Sequence, residues 1–273
     1  MNEIKNEKDL IYIKKVQNFD LTQTLDCGQC FRWSQDESGV WSGIAFSKYI
    51  EIFEKDGDIV IKGSSQNDFD KIWKDYFDLD RDYGQIIKEV STHPTVKKAA
   101  EFCGGIRLLN QEPWEALCSF IISQNNNIPR IKGIVERLCE NFGDKIKGGY
   151  TFPSAQKIAK LTLDDLAVIR SGFRAKYILD AAQKIASGEI NLDALKQTDY
   201  DTARSILMGI KGVGPKVADC VLLYGLSHKN AFPRDVWINR ALDQLFDGKI
   251  PESVGNYGGI VQQYIFHYIR NNQ

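Results

Sequence analysis

An excess of positive charge is missing from this chain. The 273 residues carry 35 Lys and Arg against 36 Asp and Glu, for a net charge of -1 and a pI near 6.3. Composition therefore gives no support to nucleic-acid binding, whose usual electrostatic footprint is strongly basic. No stretch approaches eighteen consecutive apolar residues, and no N-terminal segment joins a basic start to an apolar run and a small-residue cleavage site. These absences predict a soluble intracellular protein with no membrane partner. Histidine is scarce, and His93, His228 and His267 have neither metal-ligand spacing nor a nucleophile partner. The six cysteines (Cys27, Cys30, Cys103, Cys118, Cys139 and Cys220) are scattered, four of them in apolar surroundings. That pattern predicts reduced thiols and a cytoplasmic or nuclear compartment. Cys27 and Cys30 form a C-x-x-C, yet no second Cys/His pair at ligand spacing accompanies them, so no metal site and no cofactor are expected.

What is present divides the chain in two. Up to about Gly63 the runs FRWSQ, VWSGIAF, YIEIF and DIVIKG are aromatic and β-branched, partly alternate, and are separated by the turn signals DESG and KDGD. From Ser65 the apolar spacing changes to three and four, first in QNDFDKIWKDYF and in a segment interrupted at Pro94, then through the remaining helical patterns to YIFHYIR. The fold class read from this order is α+β: an N-terminal antiparallel β-sheet domain with connecting helices over 1–105, then a helical domain over 106–273. No repeat, low-complexity tract or long linker interrupts it. Between Arg130 and Glu189, eleven Lys or Arg stand against seven Asp or Glu, a local excess of four positive charges.

The most informative stretch is ARSILMGIKGVGPKVADCVLLYG. An apolar-periodic helix ends at Gly209, a tight turn follows at Gly212-Val213-Gly214, and Pro215 suits the first position of a second helix. This is a helix-hairpin-helix over about 204–225. Its glycines allow close approach, and the N-H groups of the turn and of the helix start can cradle a phosphate oxygen, a grip indifferent to DNA sequence. A glycine-rich turn with no ligand has the same pattern. Lys216 lies in the first turn of the second helix, where a cation works against the dipole, which favours the neutral amine that nucleophilic attack needs. A surface lysine touching phosphate would occupy the same position. Nineteen residues on, Asp235 precedes a helical pattern as an N-cap would. Near the lysine, its carboxylate could also stabilise positive charge developing on a sugar as a glycosidic bond breaks.

The hairpin GIKGVGPK with VADC and the downstream PRDV resembles the helix-hairpin-helix DNA glycosylases, and particularly the 8-oxoguanine DNA glycosylases. CGQCFRW, GIRLLNQEPWEALCSFIISQNNNIPRI, SGFRAKY and YGGIVQQYIF are similar to that subfamily too, so the resemblance spans nearly the whole chain. It implies a bifunctional glycosylase and AP lyase that flips oxidised guanine out of double-stranded DNA and acts as a monomer. Lys216 then matches the lysine that attacks the sugar C1′ and forms an imine, and Asp235 the catalytic aspartate. Gly28 matches a glycine whose carbonyl accepts the N7-H that oxidised guanine alone carries. Cys220 and Phe266 match the pair that sandwiches the flipped base, and Gln262 the glutamine that reads its edge. Asn125, Arg130, Phe173 and Arg174 match positions that fill the gap in the duplex and contact the orphaned cytosine, while Gly212 and Gly214 belong to the phosphate-gripping hairpin.

Two positions depart from the family pattern: Trp237 stands where a histidine is common two residues after the aspartate, and Phe173 stands in place of a wedging tyrosine. Both bear on DNA contacts more than on chemistry. No cysteine follows Cys220, which disfavours the sister families with a four-cysteine iron-sulfur cluster. The competing readings are a non-catalytic helix-hairpin-helix DNA-binding module, which would need neither Lys216 nor Asp235, and a glycosylase for another damaged purine.

Overall fold

The computed structural model describes residues 4–7, 9–250 and 252–272. Among these, six strands, β1 (Ile4–Glu7), β2 (Leu10–Ile13), β3 (Trp33–Gln35), β4 (Trp41–Ala45), β5 (Lys48–Lys55) and β6 (Asp58–Lys62), form one antiparallel sheet in the order β1-β2-β6-β5-β4-β3. The α+β class expected from the sequence is what is found. The helices of eight residues or more are α1 (Tyr83–Val90), α2 (Pro94–Cys103), α3 (Pro113–Ser123), α4 (Ile128–Phe142), α5 (Ala175–Ala186), α6 (Tyr200–Met208), α7 (Pro215–Tyr224), α8 (Val236–Leu245) and α9 (Gly258–Asn271). None is long and apolar enough to cross a membrane. The chain forms two compact units that alternate along the sequence: Met1–Gln29, Ile52–Asn110 and His228–Gln273 make the first, and Cys30–Glu51 and Gln111–Ser227 the second.

In the first unit β2 pairs with β6 from Leu10↔Lys62 to Ile13↔Ile59. Side chains alternate across a strand, so Ile11 and Ile13 are buried while Leu10 and Tyr12 are not. Asp56 and Gly57, both at positive φ, close the two-residue turn from β5 to β6, the geometry whose twist suits a hairpin. The stretch expected to be one helix around QNDFDKIWKDYF is broken by a π-helical turn, Phe69–Trp73. That turn helps seat Phe69, Trp73, Tyr76 and Phe77 in the core, with the Trp73 and Phe77 rings stacked at 6.1 Å. Pro94 does interrupt the next helical pattern, because it opens α2 instead of continuing α1. Helix α2 packs against α9, and the Cys103 thiol, 2.9 Å from the Ala99 carbonyl, also lies 3.4 Å from the Tyr264 carbonyl.

Arg107 is the polar centre of this unit. It is buried, and its guanidinium donates to the carbonyls of Gln17 (2.8 Å), Asn18 (3.1 Å), Asp78 (2.7 Å) and Arg81 (3.4 Å) while lying 4.6 Å from the Tyr83 ring centroid. A charge can be buried only where its donors are satisfied, and here the acceptors are main-chain carbonyls.

In the second unit α3 is buried from Ala116 to Ile122, as a helix apolar on all sides should be, and α4 and α7 pack against it. The Phe120 and Tyr224 rings stack at 5.2 Å across α3 and α7. Trp33 of β3 lies over its cross-strand partner Gly43, where a Cβ would come within 2.3 Å of the indole. Arg32 ends on Glu115, 3.1 Å away, and burial raises the Glu115 carboxyl to about 7 against the opposing pull of Arg32. All six cysteines are buried thiols.

Arg107→Met is expected to destabilise the protein by about 3 kcal/mol or more, since it removes hydrogen bonds to four carbonyls at once. Urea unfolding checks this; a loss under about 1 kcal/mol would show that water replaces the guanidinium at little cost.

Candidate functional site

The hairpin expected from the sequence is present. Helix α6 ends at Met208 with Gly209 as its cap, and α7 opens with Pro215 at its first turn and Gly214 as its N-cap. Gly212 has φ +77, and a Cβ there would sit 2.3 Å from the Tyr177 ring, so the turn is pressed onto α5. The Lys211 N-H donates to Asp180 of the same helix at 2.9 Å. Gly214 differs: nothing lies within 4 Å of where its Cβ would be, and no side chain caps α7. The first N-H groups of a helix have no intrahelical acceptor, so this end presents donors and a positive dipole to any anion that approaches. Behind the turn, buried Asp219 of α7 accepts from Tyr200 (2.8 Å) and Arg204 (2.7 Å) of α6, clamping the two helices together.

Half-buried Lys216 stands one residue into α7. Its Nζ donates to Ser123 Oγ at 3.4 Å and lies 5.5 Å from the centroid of the buried Phe120 ring. Ser123 in turn donates its own proton to the Phe120 carbonyl at 2.8 Å. The hydroxyl can therefore hold the amine only as an acceptor, which leaves the nitrogen lone pair unengaged by this contact. Cys220, one helical turn on, is 3% exposed. Neither Ser123 nor Phe120 was singled out in the sequence; the only signal is that Ser123 directly precedes the QNNN run.

That run forms the turn from α3 to α4. Asn125 is exposed at φ +46, Asn127 caps α4, and exposed Arg130 lies in its first turn. Arg174 is 3% exposed and donates to the carbonyls of Gln124, Asn125 and Ser171. Burial, and secondarily the charge of Arg130, lower its proton affinity. Phe173 is 48% exposed, with the Arg174 guanidinium 4.4 Å from its ring centroid. Lys216, Cys220, Gly212, Gly214, Asn125, Arg130, Phe173 and Arg174 thus share the second compact unit.

Asp235, Gly28, Gln262 and Phe266 belong to the first unit. Asp235 is the N-cap of α8, its Oδ1 accepting from the Ile238 N-H at 2.8 Å. Trp237 follows in the same turn, 37% exposed. Gly28 has φ +87, and the residues flanking it are fastened. Buried Gln29 donates to the Thr24 and Arg107 carbonyls and accepts from the Leu109 N-H, while Gln263 of α9 donates to the Cys27 carbonyl at 3.1 Å. Gln29 and Gln263 were missed as supports, though both adjoin residues that were named. Gln262 is 5% exposed, and its Oε1 is buried without a hydrogen-bond partner among the described residues. Half-buried Phe266, four residues on, lies 5.3 Å from the Arg270 guanidinium. Burial raises the Cys27 thiol to about 11, and among the described residues no group of three or more His, Cys, Asp or Glu is arranged to hold a metal ion.

Comparison with known proteins adds a separate line. Residues 11–117 match the family model described as 8-oxoguanine DNA glycosylase, N-terminal domain, and residues 118–252 match the HhH-GPD superfamily of base excision DNA repair proteins. An N-glycosylase/DNA lyase of Saccharomyces cerevisiae is 33% identical over 252 residues, covering 81% of this chain and 66% of that protein. The chain thus spans just under two thirds of that relative's length. Two solved structures align over nearly their full length. MBOgg1 in complex with a low-affinity DNA ligand is 41% identical with a TM-score of 0.95, covering 99% of both chains. The 8-oxoguanine glycosylase/lyase of Clostridium acetobutylicum, bound to double-stranded DNA with cytosine opposite 8-oxoguanine, is 40% identical with a TM-score of 0.95, covering 99% of this chain and 98% of that one.

The two hairpin glycines should respond differently to a methyl group. Gly212→Ala is expected to cost about 2 kcal/mol or more, from positive φ plus the clash with Tyr177. Gly214→Ala should cost under about 1 kcal/mol, the scale of a weakened N-cap. Chemical unfolding of both variants checks the contrast, and equal losses would refute it.

Proposed function

The chain belongs to the 8-oxoguanine DNA glycosylase family, and from that premise we propose that it excises 8-oxoguanine from double-stranded DNA and cleaves the strand at the resulting site. Lys216 is the nucleophile. Its neutral amine attacks C1′ of the damaged nucleotide, the glycosidic bond breaks with its electron pair leaving on the base, and the opened sugar becomes an imine. Loss of a 2′ proton then expels the 3′ phosphate by β-elimination. The observation that carries this reading is the hydrogen-bonded pair at Lys216: Ser123 Oγ accepts from Nζ, and its own proton is committed to the Phe120 carbonyl. A lysine held this way in the first turn after a glycine hairpin has the disposition of an amine nucleophile more than of a phosphate contact.

The other residues take the roles that the resemblance gives them. Asp235 stabilises positive charge on the sugar while capping α8. Gly28 offers its carbonyl to N7-H of the oxidised base, a reading supported by the positive φ and by the fastening of Cys27 and Gln29 on either side. A normal guanine would turn a lone pair towards that carbonyl and leave it unsatisfied. The orphaned Oε1 of Gln262 supports its assignment as reader of the base edge, with Cys220 and Phe266 as stacking surfaces. Gly212 and Gly214 grip phosphate, and Asn125, Arg130, Phe173 and Arg174 serve the gap in the duplex and the base opposite the lesion. The protein acts as a monomer on DNA, wherever in the cell that DNA lies.

A duplex with 8-oxoguanine opposite cytosine tests this. Wild type should release the base and nick the strand, and Lys216→Gln should lose both while still binding the duplex. A Lys216→Gln protein that cuts lesion DNA at the parental rate would sink the nucleophile assignment. Binding without any base release by wild type would favour a non-catalytic DNA clip, and excision of a different damaged purine would reassign the substrate. Asp235→Asn separates the two roles of that carboxylate, because asparagine caps a helix as well as aspartate does. Its stability should stay within about 0.5 kcal/mol of wild type, while excision falls by about a hundredfold to a thousandfold, the scale of removing one preorganised electrostatic contact. An unchanged excision rate would leave Asp235 as a cap alone.

A further inference from the structure

We propose that Arg234 grips one of the two phosphates flanking the damaged nucleotide, as a substrate-binding residue set beside Asp235. The proposal rests on the reading of Asp235 as the carboxylate that faces the damaged sugar.

The first observation is where the charge sits. From Asn230 to Asn239 the only charged residues are Arg234 and Asp235. Asp235 is the N-cap of α8, so Arg234 stands immediately outside the positive end of that helix, where the aligned peptide dipoles repel a cation. Helix stability therefore gives no reason for an arginine at this place, whereas an anionic ligand at the same end does. Trp237, in the first turn of α8, is 37% exposed and brings an indole N-H but no charge.

The second observation is how the guanidinium is held. Arg234 is exposed, and its Nε donates to Asn239 Oδ1 at 3.0 Å. Asn239 lies four residues beyond Asp235, and its N-H donates to the Asp235 carbonyl at 2.9 Å, so the two stand one turn apart on the same side of α8. The bond to Asn239 therefore lays the guanidinium along the side of the helix that carries the carboxylate. Nη1 and Nη2 make no hydrogen bond or ion pair among the described residues. They form a planar pair of donors, the geometry that meets two phosphate oxygens at once. The nucleotide whose C1′ faces Asp235 carries a phosphate on either side of its sugar. Consecutive Cα atoms are only about 3.8 Å apart, so those two phosphates are the anions within easiest reach of a side chain as long as that of Arg234. The neighbouring residues thus divide the nucleotide by charge: the carboxylate faces the positive charge that develops on the sugar, and the guanidinium meets the backbone. Such a contact positions the strand and carries no base information.

Binding to a duplex with 8-oxoguanine opposite cytosine would be measured across a salt series, using the Lys216→Gln protein so that the strand stays intact. Arg234→Gln, Arg234→Lys and Lys97→Gln would each be added to it. Lys97, exposed on α2, is the control, since its substitution removes the same charge from elsewhere in the first unit. Each phosphate that a protein neutralises contributes about 0.9 to the slope of log affinity against log salt. Arg234→Gln is expected to lower that slope by about 0.9 and to weaken binding about tenfold at low salt. Arg234→Lys should keep the slope, because the charge remains, and Lys97→Gln should leave slope and affinity as they were. A neutral methylphosphonate in place of the phosphate on one side of the lesion or the other then locates the contact. At one of the two positions it should weaken the Lys216→Gln protein about tenfold but the Lys216→Gln/Arg234→Gln protein by no more than about twofold, because both changes remove one contact. An unchanged slope in Arg234→Gln overturns the proposal, as does equal weakening of the two proteins by both methylphosphonates. If Arg234→Gln melts below its parent, Arg234→Lys and the methylphosphonate comparison still decide between phosphate and helix. Failure of the wild-type protein to excise a base from any lesion duplex would instead overturn the functional reading of Asp235, a result separate from every binding outcome.

Discussion

A guanidinium or amide buried away from water costs several kcal/mol unless each donor finds an acceptor, and for Arg107, Arg174, Gln29 and Gln263 the acceptors are main-chain carbonyls. Arg107 gathers the carbonyls of Gln17, Asn18, Asp78 and Arg81; Arg174 gathers those of Gln124, Asn125 and Ser171; Gln29 and Gln263 fasten the segment around Gly28. Each bond ties a buried donor to a main-chain carbonyl, so moving the loop would leave the side chain's donors without acceptors. Loops built this way behave as fixed parts of the scaffold, which is the condition for chemistry that depends on placement to within fractions of an ångström.

The hairpin shows the same division between holding and presenting. Gly212 is used where the chain must lie flat on Tyr177, whereas Gly214 is used where nothing of the protein intervenes, at an uncapped helix start. Asp219, Tyr200 and Arg204 lock the two helices from behind, so the exposed end of α7 carries Lys216 on a rigid base. Net charge contributes little to this design. On the proposed reading, a chain of net charge -1 grips phosphate because local geometry, through backbone donors and a helix dipole, replaces a general positive field.

Sequence reasoning reached what local chemistry decides. The strands to Gly63, the break at Pro94, the glycine cap after α6, Pro215 at the start of α7 and Asp235 as a cap all follow from short-range rules, and they are present. What it could not reach depends on residues far apart in the chain. Arg174 and Gln124 are fifty residues apart and Gln263 and Cys27 are 236, so nothing in either neighbourhood announces the partner. That Arg174 braces the Gln124–Asn125 turn was also hidden, because an arginine beside an exposed aromatic looks alike whether or not it is buried. The π-turn at Phe69–Trp73 likewise escaped a reading tuned to regular helix spacing. The chain order of sheet and helices was legible, but the interleaving of its two compact units was not, since β5 and the C-terminal helices join segments that sequence order keeps apart.

Family membership supplies the class of reaction, and the proposed mechanism rests on the disposition of one amine, so identifying the attached residue is the most direct test. The protein would be reduced with borohydride on a duplex carrying 8-oxoguanine opposite cytosine, digested, and the peptide bearing the sugar fragment sequenced by mass spectrometry. The account predicts a single adduct on Lys216. An adduct on Lys211, Lys229 or another lysine would contradict it, because those side chains lack the Ser123 contact from which the nucleophile was argued.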